Sequence, residues 1–228
     1  MEIFEQNGRF GLKDDNGDVV LPAKFYKNFV EEVKDLPFQE LLQIKLVEIQ
    51  LRYKLQPNGM YVFKDKNNKR GLKKYNNELV VECKYNWIDN FQPNGLSVVK
   101  LNDKQGLINE KGKFIVECKY NWIYDFQSNG LAIVRLKNKY GLINEKGEFV
   151  VECKYDYMWE FQSNGLAEVK LNSKYGFINK NGKEIIECRY DDIWDFQPNG
   201  LAKAKLNDEW GFINTKGKWV ENKNFHQP

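Results

Sequence analysis

A single histidine, His226, and four cysteines, Cys83, Cys118, Cys153 and Cys188, are the residues best suited to acid–base, nucleophilic or metal chemistry. Most acid–base and metal chemistry near neutral pH leans on histidine, and His226 stands almost at the end of the chain. Hydroxyl nucleophiles are equally scarce: Ser97, Ser128, Ser163, Ser173 and Thr215 are the whole supply. There is no glycine-rich phosphate loop, no Ser/His/Asp set and no HExxH motif, so the expectation is a protein that is not an enzyme and needs no cofactor or metal. The cysteines are evenly spaced by 35 residues, which places them at equivalent points of a repeat. With strands ~4.8 Å apart, equivalent points of successive repeats lie roughly 10–14 Å apart. A disulfide needs Cα atoms within about 7 Å. The cysteines are therefore expected to be reduced, buried and small, filling the same gap in each copy.

Aromatic residues offer the other chemistry, that of recognition. Two columns wander in identity from copy to copy. One runs Trp87, Trp122, Tyr157, Asp192, and the other Asp89, Tyr124, Trp159, Trp194. A core slot would not accept tryptophan in one copy and aspartate in the next, so both columns are expected to be at least partly exposed. Beside them runs Asn90, Asp125, Glu160, Asp195, a largely acidic row. The candidate partner-binding residues are thus Trp87, Trp122, Tyr124, Tyr157, Trp159 and Trp194, edged by Asp125, Glu160 and Asp195. Packing of each tryptophan over the neighbouring repeat is the competing reading. Aromatics can also stack on bases or sugar rings, but an acidic row disfavours phosphates.

The elements that must carry these columns follow from the same period. Glycines at 71, 106, 141, 176 and 211 and the segments FQPNGL or FQSNGL at 91, 126, 161 and 196 keep the 35-residue step. Four nearly complete copies run from about 59 to 200, a partial one follows, and a degenerate one is visible at 8–29 with Ala23 in the cysteine position. Asn-Gly dipeptides mark turns. After each comes an alternating segment such as 131–136, in which Ala132, Val134 and Leu136 keep one small or apolar face while the other face varies to Glu168 and Lys203. Second and third strands follow, the third exemplified by 149–155. Tyr85, Ile88 and Phe91 and their equivalents are constant apolar positions and read as core. Glu82, Glu117, Glu152 and Glu187 before the cysteines, and Lys84, Lys119, Lys154 and Arg189 after them, read as a solvated charged face.

The aromatic–Gly pairs Phe10-Gly11, Tyr140-Gly141, Tyr175-Gly176 and Trp210-Gly211 are followed by an apolar pair, a polar turn ending in Gly, a β-branched run, Lys-Tyr and Phe-x-x-x-Gly-Leu-Ala. This pattern resembles the bacterial WG repeat family. Arg70 and Gln105 depart from it before the glycine, as does cysteine where proline is more usual. The resemblance implies a β-repeat module used for interaction and carries no catalytic residues.

With 228 residues, 42% hydrophobic, 29% charged and a net charge of +3, the chain reads as one globular domain without a polyanion-binding tail. No apolar stretch is long enough to span a membrane, and the start, MEIFEQNGRFG, lacks the pattern of a signal peptide. The expected fold is an all-β, solenoid-like array of five to six three-stranded meander repeats, with a degenerate first repeat at 1–29, a helical insertion at 30–55, and repeats with a polar cap over 56–228. Apolar residues at 38, 41, 42, 46 and 49 predict a helix over 37–52. A closed propeller-like ring is the alternative, although 35 residues is short for its usual four strands. The expected function is a cytoplasmic, non-catalytic protein-binding module, acting as scaffold, inhibitor or immunity-type component. A carbohydrate- or nucleic-acid-binding protein is the alternative.

Overall fold

The computed structural model describes residues 1–25, 27–37, 40–41 and 55–220. Two compact units divide the chain, Met1–Lys119 and Tyr120–Pro228. In the first unit, sheet 1 holds Glu2–Gln6, Arg9–Lys13 and Val19–Phe25, and sheet 2 holds Met60–Lys64, Arg70–Lys74 and Leu79–Tyr85. Sheet 3 holds Trp87–Ile88, Leu96–Leu101, Lys104–Asn109 and Phe114–Tyr120, ending one residue into the second unit. The second unit carries three four-stranded sheets. Sheet 4 is Trp122–Ile123, Leu131–Leu136, Lys139–Asn144 and Phe149–Tyr155. Sheet 5 is Tyr157–Phe161, Leu166–Leu171, Lys174–Asn179 and Glu184–Tyr190, and sheet 6 is Asp192–Ile193, Leu201–Leu206, Glu209–Asn214 and Trp219–Val220. Every sheet is an antiparallel meander in chain order.

The all-β repeat is as the sequence predicts, but sheets 3 to 6 have four strands, not three. The additional strand is as short as two residues in three of these sheets, Trp87–Ile88, Trp122–Ile123 and Asp192–Ile193, which is how four strands fit a 35-residue step. Such a pair has no visible alternation, so period-2 reading passes over it.

Turn chemistry fixes the register. The second and third strands of sheets 3 to 6 are joined by two-residue turns at Asn102-Asp103, Lys137-Asn138, Asn172-Ser173 and Asn207-Asp208. All eight residues have positive φ, between 48° and 69°. That is the type I′ geometry whose twist matches paired strands. The turn after the third strand is closed by the side chain of Asn109, Asn144, Asn179 or Asn214, which accepts backbone N–H bonds from the residues two and four further on at 3.0 Å.

The repeated glycine has a steric cause. In sheet 4, Tyr140 pairs with Tyr155 but Leu142 pairs with Val151, so Glu152-Cys153-Lys154 bulges against Gly141 alone. A Cβ at Gly141 would stand 2.5 Å from the Val151 carbonyl oxygen and 2.9 Å from the Cys153 nitrogen. The bare glycine also lets the Cys153 Sγ pass over the third strand, to within 4.0 Å of the Val134 carbonyl on the second. Cys83, Cys118 and Cys188 lie the same way over Phe63, Val99 and Val169. All four cysteines are unbridged. They are half-buried, not buried as expected, because the fourth strand, or the third in sheet 2, is an edge of its sheet. Desolvation still raises the Cys188 thiol to about 11, which makes it a poor nucleophile.

Tyr85, Tyr120, Tyr155 and Tyr190 are fully buried and meet residues one sheet further on. Tyr85 packs edge-on to Phe114, Tyr120 to Phe149, and Tyr190 stacks on Trp219. Tyr155 instead donates to Glu184 Oε1 at 2.8 Å. Ile88, Ile123, Met158 and Ile193 are buried as expected. Phe91 is buried too, whereas Phe126, Phe161 and Phe196 are only half-buried. The second strands also differ from expectation. Val98, Ile133 and Glu168 stand on the face read as outward, yet are buried. Face-to-face packing explains this in the second unit, where Ile133 and Leu142 of sheet 4 share one cluster with Ala167, Val169 and Ile178 of sheet 5.

The helix expected over 37–52 lies almost wholly outside the described residues, as does the polar cap at 221–223. A shorter helix, Lys27–Val33, precedes it. It buries Phe29, Val30 and Val33 with Leu12, Leu21 and Phe25 of sheet 1. Seven residues are too few to show a helical stripe in the sequence. No helix among the described residues is long and apolar enough to cross a membrane.

Candidate aromatic recognition surface

The aromatic columns stand on one face of each sheet, at and beside its short first strand. Backbone register sets Trp122 opposite Arg135 and Arg135 opposite Tyr140 in sheet 4. In sheet 5 the same row is Tyr157, Lys170 and Tyr175, and in sheet 6 it is Asp192, Lys205 and Trp210. Sheet 3 repeats it as Trp87, Lys100 and Gln105. Each row thus runs from the first strand, over a cation on the second, to the residue just before the glycine on the third.

All six aromatic candidates are exposed: Trp87 47%, Trp122 51%, Tyr124 37%, Tyr157 39%, Trp159 41% and Trp194 53%. Asp125, Glu160 and Asp195 are exposed beside them. Within the second unit the rings touch. Tyr140 and Tyr157 have centroids 4.9 Å apart, Tyr157 and Trp159 4.1 Å, and Trp159 and Tyr175 6.2 Å. Trp122 meets Tyr124 at 6.3 Å, and Trp194 meets Trp210 at 5.9 Å. The Lys203 ammonium lies 4.7 Å from the ring centres of both Trp194 and Trp210. Trp87 belongs to the first unit, where the Arg70 guanidinium stacks 3.6 Å over its ring.

Three further rings share this face, the buried Tyr140, the half-buried Tyr175 and the exposed Trp210, which the sequence presents only as the motif's aromatic before glycine. Their signal was their parity: they share a sheet face with the wandering columns. The cation row was also missed. Lys100 and Lys205 are neutralised by Asp103 and Asp208 at 3.0 and 2.8 Å. Arg135 donates to Asn138 and Lys170 to the Tyr175 hydroxyl.

The Phe-Gln pair following the strip joins neighbouring sheets. Gln127 Oε1 accepts the Phe161 N–H at 2.9 Å, and Gln162 Oε1 accepts that of Phe196 at 3.3 Å. The Gln162 amide also donates to Asp195 at 2.7 Å, so one member of the acidic row has a structural bond. Among the described residues no group of three or more His, Cys, Asp or Glu stands ready to hold a metal ion.

Glu168 is the chemically unusual residue of this face. It is 8% exposed, where sister positions hold Val98 and Ile133. Burial first, then Asp195 and Asp192, raise its carboxyl from an ordinary 4.5 to about 7. A carboxyl raised on folding binds its proton more tightly in the folded state, so folding stability is full below about pH 4.5 and falls as pH rises towards 7. The penalty at higher pH is on the order of 3 kcal/mol. Glu168→Gln is expected to flatten this decline and to unfold at higher urea than the parent at pH 8, as denaturation curves at pH 4.5 and 8 will test. An equal pH slope in parent and variant would assign the decline elsewhere.

A family model described as WG containing repeat matches residues 71–104, 106–140, 140–175, 175–210 and 210–220. No curated protein matches the chain. Among solved structures, Hsv2p of Kluyveromyces lactis is 10% identical, with 69% of this chain and 58% of that one covered at a TM-score of 0.36. Virginiamycin B lyase from Staphylococcus aureus is 15% identical, covering 71% and 62% at 0.28. A eukaryotic initiation factor is 10% identical, covering 96% and 61% at 0.35. The chain spans less than two thirds of the length of each, and likeness at this level assigns no activity.

Proposed function

Because the chain belongs to the WG containing repeat family, we propose that it is a non-catalytic, cytoplasmic protein-binding module that presents its aromatic face to another protein as scaffold, inhibitor or immunity-type component. The observation that carries this reading is the pair of touching, exposed rings Tyr157 and Trp159 on the second unit, backed on either side by the buried Tyr140 and the half-buried Tyr175. Rigid aromatic rings lose little conformational entropy on binding and bury much area, which is why they dominate interface hot spots. A protein partner fits better than a nucleic acid. Two of the four cations in the row are already neutralised, and Asp125, Glu160 and Asp195 border the rings. The test is capture of the partner by the full chain, with and without nuclease, at low and high salt. Capture that survives nuclease and falls little at 0.5 M salt supports a protein partner. Nuclease-sensitive capture with a steep salt slope would reassign the face to nucleic acid.

A further inference from the structure

Between sheets 2 and 3 of the first unit lies a cavity of about 240 Å³. Its polar lining is Gln56, Arg70, Asp89 and Asn90, beside the apolar side chains of Val62 and Ile88. Gln56 is 3% exposed. Its Oε1 accepts the Phe91 N–H at 2.9 Å, which fixes the amide orientation and assigns the Nε2 donor. That Nε2 is buried and has no hydrogen-bond acceptor.

The sister junction in the second unit shows what is missing. There Gln162 makes the same bond to Phe196, and its Nε2 is satisfied by the carboxylate of Asp195 at 2.7 Å. In the first junction the residue before the phenylalanine is Asn90, so the carboxylate is gone. At the same place the residue before the glycine is Arg70, where sister repeats carry Gln105, Tyr140, Tyr175 and Trp210. Arg70 stacks on Trp87, and none of its side-chain N–H groups has an acceptor among the described residues. Partial burial lowers its pKa.

We infer that this cavity binds a carboxylate, which takes the place that Asp195 occupies at the later junction, held between the Gln56 amide and the Arg70 guanidinium. Both donor-bearing residues, one of them a cation, line the cavity, and a carboxylate is the group that would satisfy an amide N–H and a guanidinium at once. Asp89 lines the same cavity, with its Oδ1 accepting the Asn90 N–H at 2.9 Å. Its charge disfavours a bare anion and selects a carboxylate that carries a hydrogen-bond donor beside it. An α-amino acid has that chemistry, and so does an acidic residue of a polypeptide with its backbone N–H. The inference does not depend on the aromatic face of the second unit having a partner.

The experiment is an NMR titration of the ¹⁵N-labelled full chain, following the Gln56 side-chain amide and the Trp87 indole N–H, the latter assigned with Trp87→Phe. Two probes are used, free glutamate and N-acetylglutamate amide, with sodium chloride at matched ionic strength as the control. A saturable shift of the Gln56 amide by either probe, absent with chloride, is the expected result. Arg70→Gln takes the residue the next repeat carries, and Gln56→Glu keeps the acceptor for Phe91 while losing the donor. Each is expected to weaken binding about tenfold or more. Tighter binding of glutamate identifies a small-molecule site, and tighter binding of the blocked residue identifies a socket for an acidic side chain. Failure of both probes to saturate, or unchanged binding in a variant whose other resonances show it folded, overturns the inference.

Discussion

Gly141→Ala is expected to destabilise the second unit by about 3 kcal/mol or more, the upper end for overpacking a close-packed site. The added methyl group would stand 2.5 Å from the carbonyl oxygen of Val151 and 2.9 Å from the amide nitrogen of Cys153. Both are backbone atoms of a strand held by its own pairing, so no side chain can rotate away. Relief requires the bulge at Glu152-Cys153-Lys154 to shift, which moves Tyr155 out of its fully buried seat. Urea denaturation followed by near-ultraviolet circular dichroism checks this. A second variant separates the cause: Gly141→Ala with Cys153→Ala removes the thiol above the glycine but leaves both backbone contacts. It is expected to be no more stable than Gly141→Ala alone. Recovery in the double variant would show that the thiol, not the backbone, demands glycine.

Trp159→Ala with Trp194→Ala is expected to abolish partner capture, with about 2 kcal/mol or more lost for each ring that serves as a hot spot. The fold is expected to lose much less, because the two rings are 41% and 53% exposed and the same column holds Asp89 in sheet 3. A melting temperature within a few degrees of the parent, with capture lost, supports recognition. A collapse in stability would show that contacts such as Tyr157–Trp159 serve packing, and the aromatic face would then lose its proposed role. Trp122→Ala tests whether sheet 4 shares in binding.

The sequence legibly displayed whatever depends on chain-local chemistry. The Asn-Gly turns and the alternation that exposes Glu82 and Lys84 on either side of Cys83 come from patterns within a few residues of each other. Exposure of the wandering columns was legible for a different reason. A position that takes Trp122 in one copy and Asp192 in another cannot be a closed core slot, so internal comparison of copies substitutes for a contact map.

Tertiary structure decided what depends on which strands meet. Val98, Ile133 and Glu168 alternate like solvent-facing residues, yet all three are buried, Ile133 under the neighbouring sheet of its own unit, and one of the three is a carboxyl. The inclusion of Tyr140, Tyr175 and Trp210 in the aromatic face required the register of the third strand on the second. The glycine's necessity required the bulge, which sets three residues against one. The cavity at Gln56 required two repeats to be seen in contact: a glutamine and the residue before the next phenylalanine are over thirty positions apart, and only packing reveals that Asp195 answers one amide while Asn90 leaves the other unanswered. Alternation and turn residues fix each strand's own conformation, but burial and pairing are set by neighbours that the local sequence does not name.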